Sequence, residues 1–149
     1  MDAGVVFGAA LGCVVGGILP WVNAEIVLLT AAVLLPPEAL LPLVLACAIG
    51  QMSAKAALYG LTRWAPERLP KSARALLGRA ERYRRRPVLL AVAVFLGSAV
   101  SVPPFYLVTL ASGVLRVPFL VFAVAGLGGT AARYGVLVWA ARALGMGGT

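Results

Sequence analysis

A chain of 149 residues that is 62% hydrophobic and only 12% charged has too few polar groups to clothe a soluble globule. Its composition is that of an integral membrane protein with one compact helical domain. The formal charge of +8 does not point to nucleic acid, because the cations concentrate between Arg63 and Arg86 and are bracketed by apolar segments, where membrane phosphate is the natural counter-ion.

Four apolar stretches are long enough to reach across a bilayer: Ala3 to Leu35, Glu38 to Thr62, Pro87 to Leu115 and Pro118 to Ala141. The start, MDAGVV, lacks the basic region of a cleaved signal peptide, so the first stretch is expected to be retained. Gly4, Gly8, Gly12 and Gly16 line one helical face with glycine, which suits a close contact within one subunit or the seam of a homodimer. Cys13 and Cys47, without metal or disulfide spacing, read as small packing residues.

Pro20 breaks the first helix, and Asn23 is placed to cap a second one with Glu25 in its first turn, where the helix dipole favours a negative charge. That second piece ends before Pro36 and Pro37. At about a dozen residues, or roughly 18 Å, it is too short to cross a hydrocarbon core of about 30 Å. Taken straight, Ala3 to Leu35 would overshoot at about 50 Å. A re-entrant hairpin of two half-helices fits both lengths. Its broken tip must then be buried in protein or line a wet cavity.

Glu38 to Thr62 reads as a full span that carries Lys55 about 12 Å from its Arg63 end, within reach of the interface by snorkelling. Trp64 suits the interfacial aromatic belt. From Pro70 to Arg86, Leu69, Ala73, Leu76, Leu77, Ala80 and Tyr83 recur at helical spacing. Lys71, Arg74, Arg79, Arg82, Arg85 and Arg86 occupy the other faces or the end of this run, which predicts a basic amphipathic helix on the cytoplasmic membrane surface, held by anionic lipids or by a dedicated partner.

The second half echoes the first. Tyr59 to Ala65, YGLTRWA, returns as YGVLVWA at Tyr134 to Ala140, and the run around Thr30 returns around Thr109, with Pro103 and Pro104 standing where Ala24 and Glu25 stand. The expected architecture is all-α: repeat one over about 3–65, a basic linker over about 66–86 and repeat two over about 87–142, each repeat a re-entrant hairpin followed by one transmembrane helix. With the basic linker in the cytoplasm the two copies are inverted and Arg116 lies inside. A plain four-span topology places Arg116 outside and is the competing arrangement.

Together these residues resemble the DedA family of membrane proteins, also called the VTT or SNARE-associated domain family, over nearly the whole chain. The resemblance rests on LPWVNAEIVLL through Glu25, on GQMSAKAALYGLTRW with Tyr59, Gly60 and Arg63, and on SVPPFYLVTLASG, which closes on Ser112 and Gly113. It implies movement of a phosphate-bearing lipid, undecaprenyl phosphate or phospholipid, between leaflets. Family members implicated in proton-coupled carriage use acids in the first half and arginines around the second re-entrant element. This chain keeps Glu25 but has Lys55 at the second acid and Ser98 and Phe105 at the arginines, which places it with the short, divergent branch.

As chemistry, two hairpin tips near the bilayer midplane would offer two half-helix N-termini, one capped by Asn23 and the other beginning near Ser101, Pro103 and Pro104, each suited to an anionic phosphate. Lys55 and Arg133 would supply formal positive charge. Glu25 either pairs with Arg133 or Lys55 and locks the hairpins, or carries a desolvated, exchangeable proton. Tyr59, Tyr106 and Tyr134 serve as interhelical hydrogen-bonding groups or as headgroup ligands. The absence of histidine, of paired carboxylates and of a Ser or Cys beside a base gives hydrolysis little support, and no cofactor or metal is expected. A small-ion or drug transporter and a non-transporting assembly protein are the competing classes, and the composition fits a bacterial inner membrane.

Overall fold

The computed structural model describes residues 2–19, 21–101 and 104–146, leaving out the side chains of Ala73, Leu76, Leu77 and Ala80. Pro20 and Pro103, expected at the two hairpin breaks, lie outside the described residues. The described chain is all-helical. In order it forms α1 (Asp2–Ile18), α2 (Ala24–Leu34), α3 (Leu40–Trp64), α4 (Lys71–Ala80), α5 (Pro87–Val100), α6 (Phe105–Val114) and α7 (Phe119–Ala143), with short 3-10 turns before α3 and on both sides of α4.

Length sorts these helices into two kinds. At 25 residues each, α3 and α7 rise about 37 Å and are long and apolar enough to cross a membrane. The apolar helices α1, α2, α5 and α6 have 17, 11, 14 and 10 residues, so each falls short of about 30 Å. Each short pair is joined by a break: Asn23 restarts the first, and Ser101, in the left-handed region with φ 60°, stops the second.

The chain divides into two compact units, and each takes part of both long helices. The first contains α1, α2, the α3 residues up to Ala54 and the α7 residues from Thr130. Its core joins Cys13, Leu28, Leu43, Cys47, Ala48 and Tyr134, all with no exposed surface. The expected glycine face is used within the subunit at its later positions. A Cβ at Gly12 would lie 2.8 Å from Val27, and one at Gly16 would lie 3.0 Å from Ala24, both residues of α2. Gly4 and Gly8 face open space. The α1 backbone also meets α3 closely, since a Cβ at Gly50 would sit 2.6 Å from the Ala10 carbonyl oxygen.

The second unit contains the α3 residues from Lys55, then α4, α5, α6 and the α7 residues up to Gly129. Tyr59 is its hub. The ring stacks on Phe122 at 4.9 Å, and the hydroxyl donates to the Val117 carbonyl just beyond α6. Arg63, one turn on, donates to the Tyr59 hydroxyl and, at 3.4 Å, to the same carbonyl. The α5 backbone meets α7 where a Cβ at Gly129 would sit 2.6 Å from the Phe95 carbonyl oxygen.

Two boundaries correct the sequence reading. The helix expected from Pro70 to Arg86 ends at Ala80 and tightens into a 3-10 turn over Glu81–Tyr83. Arg82, Arg84, Arg85 and Arg86 crowd like charges at helical spacings, and Pro87 pushes Arg86 out of the α region, to φ −116° and ψ 78°. Ser101, expected to open the second half-helix, instead closes α5, its amide donating to the Gly97 carbonyl. Arg116 holds a second left-handed conformation, with φ 54°, just after α6. A side chain there costs about 1 kcal/mol. Arg116→Gly is therefore expected to raise the thermal midpoint by about 3 °C, read from helix circular dichroism in detergent.

Candidate functional site

The site is built from the first turn of α2 outward. Asn23, in extended backbone, accepts the Glu25 amide on its Oδ1 at 2.9 Å, so the cap read from the sequence forms and fixes Glu25 at the helix start. From α7, Arg133 brings Nη1 to 3.4 Å from the Glu25 Oε1. Of the two cations expected to pair with Glu25, Arg133 is the one placed in the ion pair described here. Its side chain is 13% exposed against 37% for Glu25, so the cation is the more enclosed partner. A single contact at 3.4 Å is longer than a good N–H···O bond, and the attraction is mainly coulombic.

The shell around Arg133 is ordered by its neighbour. Its guanidinium lies 5.4 Å from the centre of the Tyr134 ring, and the fully buried Tyr134 hydroxyl donates to Gln51 Oε1 of α3 at 2.7 Å. Gln51 was not singled out from the sequence, although a lone amide in an apolar span was a signal to follow. Cys13 and Cys47 are buried core residues, and the Cys13 thiol donates to the Ala24 carbonyl at 3.7 Å.

In the second unit the comparable position holds Lys55. It is buried, at 5% exposure, and its ammonium stands 5.2 Å from the Tyr106 ring centre and 5.8 Å from that of Phe105, both in the first turn of α6. The expectation of snorkelling is corrected: the side chain is buried in the protein, with aromatic faces beside its ammonium. Pro104 is the N-cap of α6 and offers no side-chain cap, which leaves first-turn amides to other partners. Each unit thus sets one cation from a long helix beside the first turn of the second hairpin helix. Tyr59 and Tyr134 bond between helices, and Tyr106 supports Lys55.

The basic surface residues Lys71, Arg74, Arg79, Arg82, Arg85 and Arg86 are all exposed. Arg142 also escaped the sequence reading as more than an end marker. Its Nη2 donates to the carbonyls of Ala32, at 2.9 Å, and Leu35, so it closes the C-terminus of α2. No protein-family model matches the sequence, and neither a characterised protein nor a solved structure resembles it significantly.

Proposed function

We propose that this chain is a multi-pass membrane protein of the DedA type, residing in a bacterial inner membrane, that moves a phosphate-bearing lipid between leaflets. The observation that carries the reading is the pairing, in each unit, of an enclosed cation with the start of a short apolar helix: Arg133 with the first turn of α2, Lys55 with that of α6. A lipid phosphate needs both elements. Helix-start amides and the dipole favour its charge, and a cation compensates it where water is scarce. At Arg133 an arriving phosphate competes with Glu25, whose loose contact makes exchange of one anion for another inexpensive in free energy.

Two pairs of matching contacts support an internal duplication. Gly50 and Gly129, 79 positions apart, each receive a carbonyl from the first hairpin helix of their unit. Thr30 and Thr109, also 79 apart, each donate to the carbonyl four residues back, Ile26 and Phe105, at 2.7 and 2.8 Å. Under this reading the short helices enter and leave from one side, while α3 and α7 cross.

The test is lipid scrambling by the pure protein in liposomes, read as loss of inner-leaflet fluorescent lipid to an impermeant quencher. Wild type is expected to expose the protected half of the signal. Arg133→Gln, folded as judged by circular dichroism, should slow this about tenfold, the factor for losing roughly 1.4 kcal/mol of a charge-assisted contact to the phosphate, and Glu25→Gln should slow it similarly by leaving no carboxylate to displace the phosphate from Arg133. Wild-type liposomes that stay half protected with several phosphate headgroups would exclude passive lipid movement. If Glu25→Gln scrambles at the wild-type rate, lipid movement stands but the proposed site does not.

A further inference from the structure

We infer that the groove between the early residues of α3 and the late residues of α7 binds one anionic phospholipid, with a hydrocarbon chain in the groove and a headgroup oxygen at Arg142. This rests on the membrane reading but concerns a resident lipid, at a place separate from the Glu25–Arg133 pair. The groove encloses about 570 Å³. Leu41, Val44, Gly135, Val138 and Trp139 form apolar walls, and Arg142 is the one charged residue of its lining among the described residues.

Three observations single out this occupant. First, the Arg142 guanidinium is positioned by its bonds to the Ala32 and Leu35 carbonyls, yet its buried Nε has no acceptor among the described residues. An anionic oxygen approaching this end meets a fixed cation with donor capacity in reserve. Second, Trp139 stands three residues earlier on the same helical face and is 73% exposed, as an indole at the hydrocarbon–headgroup boundary would be. Third, among the described residues the lining offers hydrocarbon and one cation but no carboxylate side chain. A second copy docked here about a two-fold axis would face one Arg142 with another uncompensated, whereas a lipid brings both the chain and the opposite charge.

The experiment uses the full chain with Trp21→Phe and Trp64→Phe, so that Trp139 is the sole tryptophan. It is reconstituted in phosphatidylcholine vesicles and titrated with phosphatidylglycerol or phosphatidylcholine carrying brominated chains, which quench indole on contact. The anionic lipid is expected to quench at about fivefold lower mole fraction, the advantage one cation confers near a membrane surface. Arg142→Gln should abolish that preference. Gly135→Leu, at a position where a Cβ meets nothing within 4 Å, should fill the groove and weaken quenching by both lipids with the fold intact.

Equal quenching by both headgroups, unchanged in Gly135→Leu, would overturn the inference and leave the membrane reading standing. Relief of quenching by soluble glycerol phosphate would assign the site to a free anion and overturn it. So would quenching that appears only when the protein is diluted in excess lipid, the mark of a second copy covering this face. A chain recovered in the aqueous fraction would overturn the membrane reading and this inference together.

Discussion

Arg133→Leu is expected to cost about 3 kcal/mol of stability, and the double variant Glu25→Leu/Arg133→Leu much less. Removing one partner strands a charge, while removing both replaces two costly groups by hydrocarbon. The asymmetry of the pair sharpens the expectation. Arg133 is enclosed and leans on Tyr134, which in turn holds Gln51, so its loss also frees a wall of the core. Glu25→Leu leaves the more enclosed charge, Arg133, without its anion, whereas Arg133→Leu leaves Glu25 in a capped first turn where the helix dipole compensates it, so Glu25→Leu alone should cost at least as much as Arg133→Leu. The coupling, read from a double-mutant cycle on unfolding in detergent, should fall between about 1 and 3 kcal/mol. Repeating the cycle near 1 M salt separates two environments. There the screening length is about 3 Å, so a pair open to water loses most of its coupling and one enclosed by hydrocarbon keeps it. A coupling near zero at low salt would remove Glu25 and Arg133 as a functional unit.

Several of these features were legible because they depend on residue type and spacing alone. The apolar segmentation, the short lengths on either side of each break, the Asn23 cap and the unusual Glu25 all follow from local rules, and the structure carries them. Pairing was only half legible. The sequence offers Arg133 and Lys55 as equal candidates, because helix rise fixes how deep a cation lies and not which face carries it. The fate of Lys55 turned on that face: distance from Arg63 favours snorkelling, but its side chain meets Phe105 and Tyr106, some 50 positions away in the chain. Ser101 misled for a related reason. Serine before a proline pair reads as the start of a helix, whereas its left-handed backbone shows it ending one. Gln51 and Arg142 gain their roles from Tyr134 and from the carbonyls of α2, contacts between elements that no local pattern announces.

Close backbone approach sets the second large effect. Gly113 of α6 faces α3, and a Cβ there would stand 1.7 Å from Thr62 Oγ1 and 2.6 Å from the Tyr59 carbonyl oxygen. Rotating Thr62 would relieve only the first clash, and its hydroxyl already donates to that same carbonyl at 3.1 Å. The second clash is with backbone. Relief requires α6 to withdraw from α3, against the Tyr59 hydroxyl that holds Val117 just beyond α6. Gly113→Ala is therefore expected to cost about 3 kcal/mol, at the upper end for one inserted methyl, and Thr62→Ala in the same chain should restore only part of it. Gly129→Ala should behave alike, since its Cβ would meet both Ser98 Oγ at 1.9 Å and the Phe95 carbonyl oxygen at 2.6 Å. Gly8→Ala supplies the contrast: its Cβ meets nothing within 4 Å, so the gain in helix propensity, about 1 kcal/mol, should appear as a modest rise in the melting temperature. Thermal unfolding of the three variants in one detergent decides the point. If Gly113→Ala melts with Gly8→Ala, the close approach of α6 to α3 fails, and the hydrogen bond from Tyr59 to Val117 loses its role as the clamp on the second hairpin.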